Sequence, residues 1–205
     1  MNRIEELIMR KPELSALADS IEAAVSAIIF THSYGGKLLL CGNGGSAADC
    51  EHISGELLKG FTKSRKADGE ALAALTDTLG DEAALLERGI PAIPLPSLSS
   101  TLSAFANDVS PSLVFAQLVF SLGKQGDTLI AISTSGNSEN VVKAARAAKA
   151  LGITVIALTG EGGGELASLA DILINAPAKE TYLVQEYHLP IYHAICAEVE
   201  ERIFY

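Results

Sequence analysis

The sequence has no tryptophan, and aromatic residues of all kinds make up only 5% of its 205 residues. Its three cysteines are an odd number, and no two of them have the Cys-x-x-Cys spacing of metal and redox motifs. The sequence therefore predicts neither a disulfide framework nor a cysteine-based site. We expect Cys41, Cys50 and Cys196 to be small, reduced residues of the core.

Long hydrophobic runs are also missing, since no apolar run reaches the ~18 residues that a membrane-spanning helix needs. The first six residues carry Glu5 and Glu6 where a secretory signal peptide would have a basic start and an apolar stretch. We therefore expect a cytoplasmic protein with no membrane partner.

Positive charge is scarce, with 15 Lys and Arg against 25 Asp and Glu and a formal net charge of -10. An acidic surface repels nucleic-acid backbones, so no DNA or RNA partner is expected. A phosphate can still be held locally by hydroxyls and backbone N–H groups. One basic cluster has two interpretations, a solvated helix end or a field that attracts an anionic substrate; it comprises Lys59, Lys63, Arg65 and Lys66.

The hydrophobic pattern predicts one α/β domain preceded by a helical segment, residues 1–36. Apolar side chains recur at near-helical spacing over 3–34, with a break expected at Pro12. From residue 37 onward, strand patterns alternate with helical patterns, which predicts a doubly wound parallel sheet covered on both faces. Strands are expected at 37–41, 91–95, 129–132, 154–158 and 172–174, the main helices at 46–59, 111–122, 137–151 and 182–203, and residues 62–90 are ambiguous.

Two turns rich in small and hydroxyl-bearing residues are the most informative motifs. Residues 42–46 read Gly-Asn-Gly-Gly-Ser and residues 133–138 read Ser-Thr-Ser-Gly-Asn-Ser, each between a strand pattern and a helix pattern. Hydroxyls and N–H groups then converge at the positive end of a helix dipole, where a phosphate can bind. A plain tight turn capped by Ser46 explains the first motif equally well. Neither motif completes a Walker loop or a dinucleotide fingerprint.

Two pairs of polar side chains on predicted helices are candidates for chemistry. His52 and Glu56 are four residues apart, and Gln185 and His193 are eight apart, so each pair shares one helical face. A carboxylate beside an imidazole suits proton transfer, and the same four side chains can instead hold a divalent metal. His32 and His188 have no such partners, and we expect them to be structural.

The motifs resemble those of the SIS (sugar isomerase) domain family, and within it those of the phosphoheptose isomerases. The resemblance is carried by residues 41–52, 54–57, 106–108, 126–138, 157–160 and 184–193. It implies an SIS-type, flavodoxin-like three-layer sandwich over 37–205. The two turns at residues 42–46 and 133–138, called the serine turns from here on, are typical of any SIS domain. The His52/Glu56 and Gln185/His193 pairs are more specific to the heptose enzymes.

The resemblance implies an isomerase that converts a ketose phosphate into an aldose phosphate through an enediol, with sedoheptulose 7-phosphate as substrate. Glu56 would be the base that removes the carbon-bound proton, and His193 the acid/base that moves a proton between oxygens. The substrate would be bound by Asn43, Gly44, Ser46, Asp108, Ser133, Thr134, Ser135, Ser138 and Gln185. Zinc is held in some members at the positions of His52, Glu56, Gln185 and His193; the reaction needs no organic cofactor.

The family is typically a homotetramer with active sites at subunit interfaces, which implies that the N-terminal helices serve oligomerisation. Two stretches depart from the family pattern, an insertion at about 66–90 and the segment 179–182. The second lacks the acidic residue and the arginine that often occur there, and Tyr182 is a candidate replacement for a sugar contact. Because of both departures, the alternative remains that the protein is an isomerase of a different sugar phosphate. A non-catalytic relative that binds a replication initiator or senses sugar phosphates is the remaining alternative, and the presence of Glu56 and His193 favours an enzyme.

Overall fold

The central sheet has five parallel strands in the order β2-β1-β3-β4-β5 in the computed structural model, which describes residues 1–205. The strands are β1 (Leu38–Cys41), β2 (Ala92–Pro94), β3 (Thr128–Ile132), β4 (Thr154–Thr159) and β5 (Ile172–Asn175). Strands β1 and β3 are buried along their whole length, as expected for a sheet covered on both faces. The predicted α/β fold class is confirmed.

Eight α-helices surround the sheet. They are α1 (Arg3–Arg10), α2 (Ala18–Ser33), α3 (Gly45–Leu58), α4 (Gly69–Leu79), α5 (Ser99–Asp108), α6 (Val114–Leu122), α7 (Glu139–Ala150) and α8 (Thr181–Phe204). Pro12 begins a 3-10 helix between α1 and α2, where the break was expected. Helix α5 was not predicted, because its Ser-Ser-Thr-Leu-Ser-Ala-Phe-Ala-Asn-Asp sequence buries no residue and has no apolar period.

Strand side chains alternate between two cores on opposite faces of the sheet. Leu38 and Leu40 of β1 join the core that contains α1, α2, α3 and α8, and Leu39 joins the core beneath α6 and α7. Buried residues of the N-terminal helices, such as Leu7 and Val25, belong to the first core. The helices at the start of the chain therefore pack directly with the sheet.

Both serine turns lie at the carboxyl edge of the sheet. Strand β1 leads into α3 and strand β3 leads into α7, and the two strands are neighbours. Helix α8 packs beside α3, with Gln185 against Gly45 and His193 beside His52. The later residue of α3, His52, contacts the later residue of α8, His193, so the two helices run in the same direction. Their polar residues therefore lie side by side along the helix axes.

One stretch, Pro12–Ser33, is long and apolar enough to cross a membrane by length and composition alone. Its buried residues Ile21, Val25 and Ile28 pack into the first core. A single apolar helix with such a packed face is weak evidence for a membrane span.

Candidate active site

The two serine turns face each other across a cavity of about 280 Å³. Its lining residues are Asn43, Gly44, Gly45, Ser46, Ile132, Ser133, Thr134, Ser138, Thr181 and Gln185. The hydroxyl oxygens of Ser133 and Ser138 lie 3.0 Å apart, and the side-chain amides of Asn43 and Asn140 exchange hydrogen bonds of 2.8 and 2.9 Å. The hydroxyls of the second turn and the Asn43 amide of the first turn therefore face one space at the start of α3 and α7, which suits an anion.

Glycine is required at one point of the second turn. Gly136 has a φ of +67°, and a Cβ there would lie 2.0 Å from the carbonyl oxygen of Gly163. The residues from 163 to 166 thus close directly over this turn, and Leu166 donates its N–H to the Gly136 carbonyl at 3.1 Å. The loop shape that directs Ser133 and Ser138 into the cavity depends on this close approach.

Two residues expected to bind substrate lie outside the cavity. Ser135 is exposed, and its hydroxyl oxygen accepts the N–H of Asn137 at 3.1 Å. Asp108 is exposed at the end of α5, where its carboxylate accepts a 2.8 Å hydrogen bond from the Asn107 amide. Their roles as substrate contacts stay predictions.

His52, Glu56 and His193 form a cluster on the facing sides of α3 and α8. The Nε2 atom of His52 lies 3.1 Å from Oε1 of Glu56 and 3.3 Å from Nε2 of His193. All three candidate ligand atoms lie within 4.8 Å of one another. The base and the acid/base expected from the sequence are therefore brought together within one chain.

The cluster also fits a metal ion by its donor chemistry. Two imidazoles and a carboxylate are common zinc ligands, and bonds of 2.0–2.1 Å place neighbouring ligand atoms of a tetrahedral site about 3.4 Å apart. The spacings around His52 Nε2 are close to that value. Gln185, expected as a fourth ligand, lies at the level of the cavity, about 12 Å along α8 from His193; its place in a metal site stays a prediction.

The electrostatic setting of His193 favours a neutral imidazole. Burial, and then the neighbouring His52, lower the pKa of His193, while the Glu56 carboxylate opposes the change. A neutral ring carries one N–H donor and one acceptor nitrogen, so it can both give and take a proton. That property is what a proton transfer between two oxygens requires.

A second layer of polar residues behind His52 was missed by sequence reasoning. The Tyr192 hydroxyl lies 2.9 Å from Nδ1 of His52 and 3.3 Å from Oδ1 of Asp49. Asp49 precedes His52 by nearly one helical turn and Tyr192 adjoins His193, which is the only signal the sequence holds. Thr181 of the cavity was missed as well, although it lies one turn before Gln185.

A buried ion pair fixes the turn of α3 that carries Glu56. Arg65 donates to the carbonyl oxygens of Glu56 at 3.0 Å and Leu57 at 2.7 Å, and its Nε donates to Glu200 at 2.7 Å. Both side chains of the pair are fully buried. Arg65 is therefore neither a solvated charge nor part of an open basic field, so both interpretations of the basic cluster were wrong for this residue.

Glu200 receives hydrogen bonds from several donors besides Arg65. Burial would raise the pKa of Glu200, but hydrogen bonds from the hydroxyl of Thr62 and the N–H groups of Phe61 and Thr62, together with Arg65, lower it to about 2. Because Glu200 lies on α8 two helical turns after His193, the pair ties the helix of the imidazole to the helix of the carboxylate.

His188 and the three cysteines, which were expected to be structural, do not belong to the site. His188 is fully buried, with its Nε2 3.2 Å from the carbonyl oxygen of Thr159, and burial lowers its pKa. The three cysteines are buried and unpaired, which confirms the expectation for them.

Comparison with known proteins identifies the family. A family model described as SIS domain matches residues 5–92 and 88–160. The phosphoheptose isomerase of Aneurinibacillus thermoaerophilus is 39% identical over 201 residues, covering 98% of this chain and 89% of that protein. The enzyme of that name from Shewanella denitrificans is 38% identical over 192 residues, covering 92% and 87%.

A solved structure agrees with these relatives. A phosphoheptose isomerase from Francisella tularensis superposes with a TM-score of 0.79 at 32% identity, and the match covers 96% of this chain and 94% of that one. Sequence and fold are thus similar over almost the full length, including the two helices that carry His52, Glu56 and His193. The chain belongs to the SIS domain family and, within it, to the phosphoheptose isomerases.

Proposed function

We propose that this protein converts sedoheptulose 7-phosphate into D-glycero-D-manno-heptose 7-phosphate, a ketose-to-aldose isomerisation through an enediol. The observation that carries the proposal is the position of Glu56 and His193, whose reactive atoms lie within 4.8 Å of each other on separate helices. A hydroxyl-lined cavity suited to a phosphate opens at the other end of the same two helices. Family membership supports the same reaction.

The spacing of the two regions supports a long sugar phosphate as substrate. Gly45 at the cavity and His52 in the cluster are seven residues apart on α3, or about 10 Å along the helix axis. When the phosphate of the substrate is bound in the cavity, its extended sugar chain lies along α3 and α8. Its carbonyl end then comes to the cluster, and the distant phosphate contributes anchoring energy that can be used at the transition state.

The reaction needs one group that serves the carbons and one that serves the oxygens. The Glu56 carboxylate takes a proton from C1 of the ketose as the C1–C2 double bond of the enediol forms, and later returns a proton to C2. The neutral His193 imidazole gives a proton to O2 and takes one from O1, so both groups end in their starting states. Every proton is accounted for by these two residues, which is why no organic cofactor is invoked.

Zinc is the metal that the cluster suits best. His52, Glu56 and His193 would supply two nitrogens and a carboxylate oxygen, and the family pattern adds Gln185. When bound, the ion would polarise the substrate carbonyl as a Lewis acid. Glu56 cannot serve fully as ligand and as base at once, so measured zinc content decides how these roles are divided.

We further infer a cytoplasmic homotetramer in which residues 1–36 contribute to assembly and the active sites lie at subunit interfaces. Large apolar side chains left exposed on one chain support association, since monomers rarely expose such groups together. The rings of Phe30 in α2 and Tyr34 directly after it lie in tilted contact, with centroids 4.4 Å apart, while remaining 59% and 74% exposed. Ser135 and Asp108, outside the cavity of one chain, would then be placed to meet substrate near such an interface.

A different sugar phosphate is the second candidate substrate, and one observation favours it. The segment 66–90 begins directly after Arg65, which donates to the Glu56 carbonyl at 3.0 Å, and it returns to α3 where Ile90 donates its N–H to the Leu57 carbonyl at 2.8 Å. Its helix α4 buries none of its residues. An inserted segment attached at this point can alter the space around the sugar without altering the reaction.

A panel of five-, six- and seven-carbon ketose phosphates, assayed for aldose formation, tests the proposal. We expect sedoheptulose 7-phosphate to have the highest kcat/KM, and the Glu56→Gln variant to be inactive on every member of the panel. A higher kcat/KM for a shorter ketose phosphate would assign the second candidate. Absence of aldose from all substrates, with the folded wild-type protein, would reject the isomerase.

A further inference from the structure

His188 lies on α8 nearly one helical turn after Gln185, which lines the cavity of the serine turns. The His188 ring is fully buried, and its Nε2 lies 3.2 Å from the carbonyl oxygen of Thr159 at the end of β4. The other ring nitrogen, Nδ1, is buried and has no hydrogen-bond partner. The ring therefore makes one polar contact, and that contact joins α8 to the sheet.

The contact with Thr159 makes the His188 ring a hydrogen-bond donor. A carbonyl oxygen only accepts hydrogen bonds, so Nε2 carries the proton that lies between them. Burial lowers the pKa of His188, and a neutral imidazole has a single N–H, which leaves a lone pair on Nδ1. The one N–H of the ring is thus used on Thr159, and no second donor is left buried without an acceptor.

The Thr159 carbonyl lies where three elements meet. It also accepts the N–H of Ala176, directly after β5, at 2.8 Å. No other side-chain hydrogen bond joins α8 to β3, to β4 or to the second serine turn. The His188 contact is therefore the polar link between the helix and this edge of the sheet.

The second serine turn is held by the residues on either side of Thr159. Leu158 accepts the N–H of Ser133 at 3.0 Å, and Gly160 donates its N–H to the Thr134 carbonyl at 2.9 Å. The approach of Gly160 is close, since a Cβ there would lie 2.8 Å from the carbonyl oxygen of Thr134. A shift of the Thr159 end of β4 would therefore move the backbone of the turn.

The cavity has one wall on α8, which includes Gln185, and another on the second serine turn, which includes Ser133. We propose that His188 is a positioning residue that sets the distance between these walls by donating its Nε2–H to the Thr159 carbonyl. Hydrogen bonds weaken steeply when their length or angle departs from the ideal, so a phosphate bound between the walls depends on that distance. The proposal rests on the proposed function for the identity of the ligand, a phosphate ester.

Binding of two probes, sedoheptulose 7-phosphate and inorganic phosphate, tests the proposal. Both are titrated by calorimetry in the Glu56→Gln background, where turnover is slow. We expect His188→Leu to weaken binding of each probe about ten-fold, the cost of misaligning one hydrogen bond to a charged group. The Thr159 carbonyl keeps the Ala176 N–H in this variant, so no buried acceptor is left without a donor.

Two further variants at the same position accompany His188→Leu. His188→Gln places an amide N–H at about the reach of Nε2, so its probe affinities should return close to those of the background. His188→Met has a flexible apolar side chain that fits irregular gaps, and it should lose affinity as His188→Leu does. If His188→Gln binds as weakly as the apolar variants, or if the apolar variants bind like the background, the positioning role is overturned.

Val199→Ala is the matched control for stability. Val199 is fully buried on the same helix, about three turns beyond His188, so truncating it lowers the melting temperature without changing the contact with Thr159. We expect its probe affinities to equal those of the background. An equal loss of affinity in Val199→Ala and His188→Leu would show that His188 acts through general stability alone.

A spectrum and steady-state kinetics supply the remaining readouts. In a long-range ¹H–¹⁵N spectrum, with His188 assigned from the signals missing in His188→Gln, we expect the Nε2–H pattern; an Nδ1–H pattern overturns the contact without any apolar variant. In the presence of Glu56, His188→Leu should raise KM with kcat nearly unchanged, the signature of lost binding, and the reverse would contradict the proposal. A wild type that isomerises no ketose phosphate rejects the proposed function, while the inorganic phosphate titrations still decide the role of His188.

Discussion

The Nε2 atoms of His52 and His193 lie 3.3 Å apart, although one residue is on α3 and the other on α8. The buried Arg65–Glu200 pair joins the same two helices beyond this contact. Neither histidine is placed by a flexible loop. The geometry of the cluster is therefore set by helix packing, and the predictions below separate what each part of that packing contributes.

Replacing either reactive group should abolish isomerisation without unfolding the protein. We expect Glu56→Gln and His193→Asn to lower kcat by about 10²- to 10⁴-fold, the usual contribution of a positioned acid or base. Rates of aldose formation measure the effect, with melting temperature and sedimentation as checks on fold and assembly. Glu51→Gln, an exposed change on the same helix, is the matched control. Wild-type rates in both reactive variants would reject the assigned roles.

The cavity hydroxyls should contribute to phosphate affinity. Hydrogen bonds to charged groups contribute about 1.5–3 kcal/mol each, so removing two of them with Ser133→Ala and Ser138→Ala should weaken binding of a ketose phosphate at least ten-fold. Calorimetry with the substrate in the Glu56→Gln background, where turnover is slow, gives the dissociation constant. Ser168→Ala, far along the chain and exposed, serves as control. Unchanged affinity in the double variant would count against the cavity as the phosphate site.

The second serine turn should not tolerate a side chain at Gly136. Its positive φ and the 2.0 Å approach of a Cβ to the Gly163 carbonyl oxygen both oppose alanine. We expect Gly136→Ala to destabilise the protein by at least about 1–3 kcal/mol and to weaken phosphate binding. Gly162→Ala, in open space and without a positive φ, should melt like the wild type. Equal melting temperatures for the two variants would show that the turn adapts.

The Arg65–Glu200 pair should stabilise the fold in a pH-dependent way. The pKa of Glu200 lies near 2 in the folded protein and at an ordinary 4.3 when unfolded, so this stabilisation is complete above about pH 4.3 and is lost as pH falls toward 2. Breaking a buried pair costs about 3–5 kcal/mol. We expect Glu200→Gln to lower the melting temperature strongly at pH 7 and much less near pH 2.5.

The control for this prediction is Glu201→Gln. Glu201 pairs with Lys63 at the surface, where both side chains remain about 40% exposed. Exposed pairs contribute about 0–1 kcal/mol, so the change should be small at either pH. A pH-independent effect of Glu200→Gln would mean that Glu200 acts by packing alone.

Metal content should depend on the cluster and not on the hydroxyls of the cavity. We expect the purified protein to carry zinc, and His52→Gln and His193→Asn to lose it, because each removes a nitrogen ligand. Metal analysis after equilibration with a zinc buffer measures the change, with Ser133→Ala as control. If protein stripped of metal by a chelator isomerises at the full rate, the cluster acts as acid and base only.

Much of the fold follows from local patterns. Strands β1, β3, β4 and β5 lie within one residue of their predicted ends, because buried apolar runs bounded by Gly and polar residues are distinctive. Helix α5 is the contrary case, since its exposed Ser- and Ala-rich sequence carries no period that could reveal it. Expected and observed boundaries of the long helices α3 and α8 differ by one residue at each end.

The site was only partly accessible to sequence reasoning. Helical spacing paired His52 with Glu56 and the serine motifs marked the cavity, because those relations are local. Arg65 was misread as a surface charge because its partner Glu200 is 135 residues away in the chain. Tyr192 escaped notice for the same reason, since only the packing of α8 on α3 brings its hydroxyl to His52.

The shared direction of α3 and α8 has a consequence for evolution of specificity. Helical rise separates the cavity from the cluster of His52, Glu56 and His193, so under the proposed function the number of carbons that can bridge them is a property of the scaffold. Substitutions of side chains on α3 and α8 between the two regions would select among stereoisomeric sugars of the same chain length. A change to a shorter or longer sugar would instead require a change of backbone, such as a helix that gains a turn or an inserted segment like 66–90.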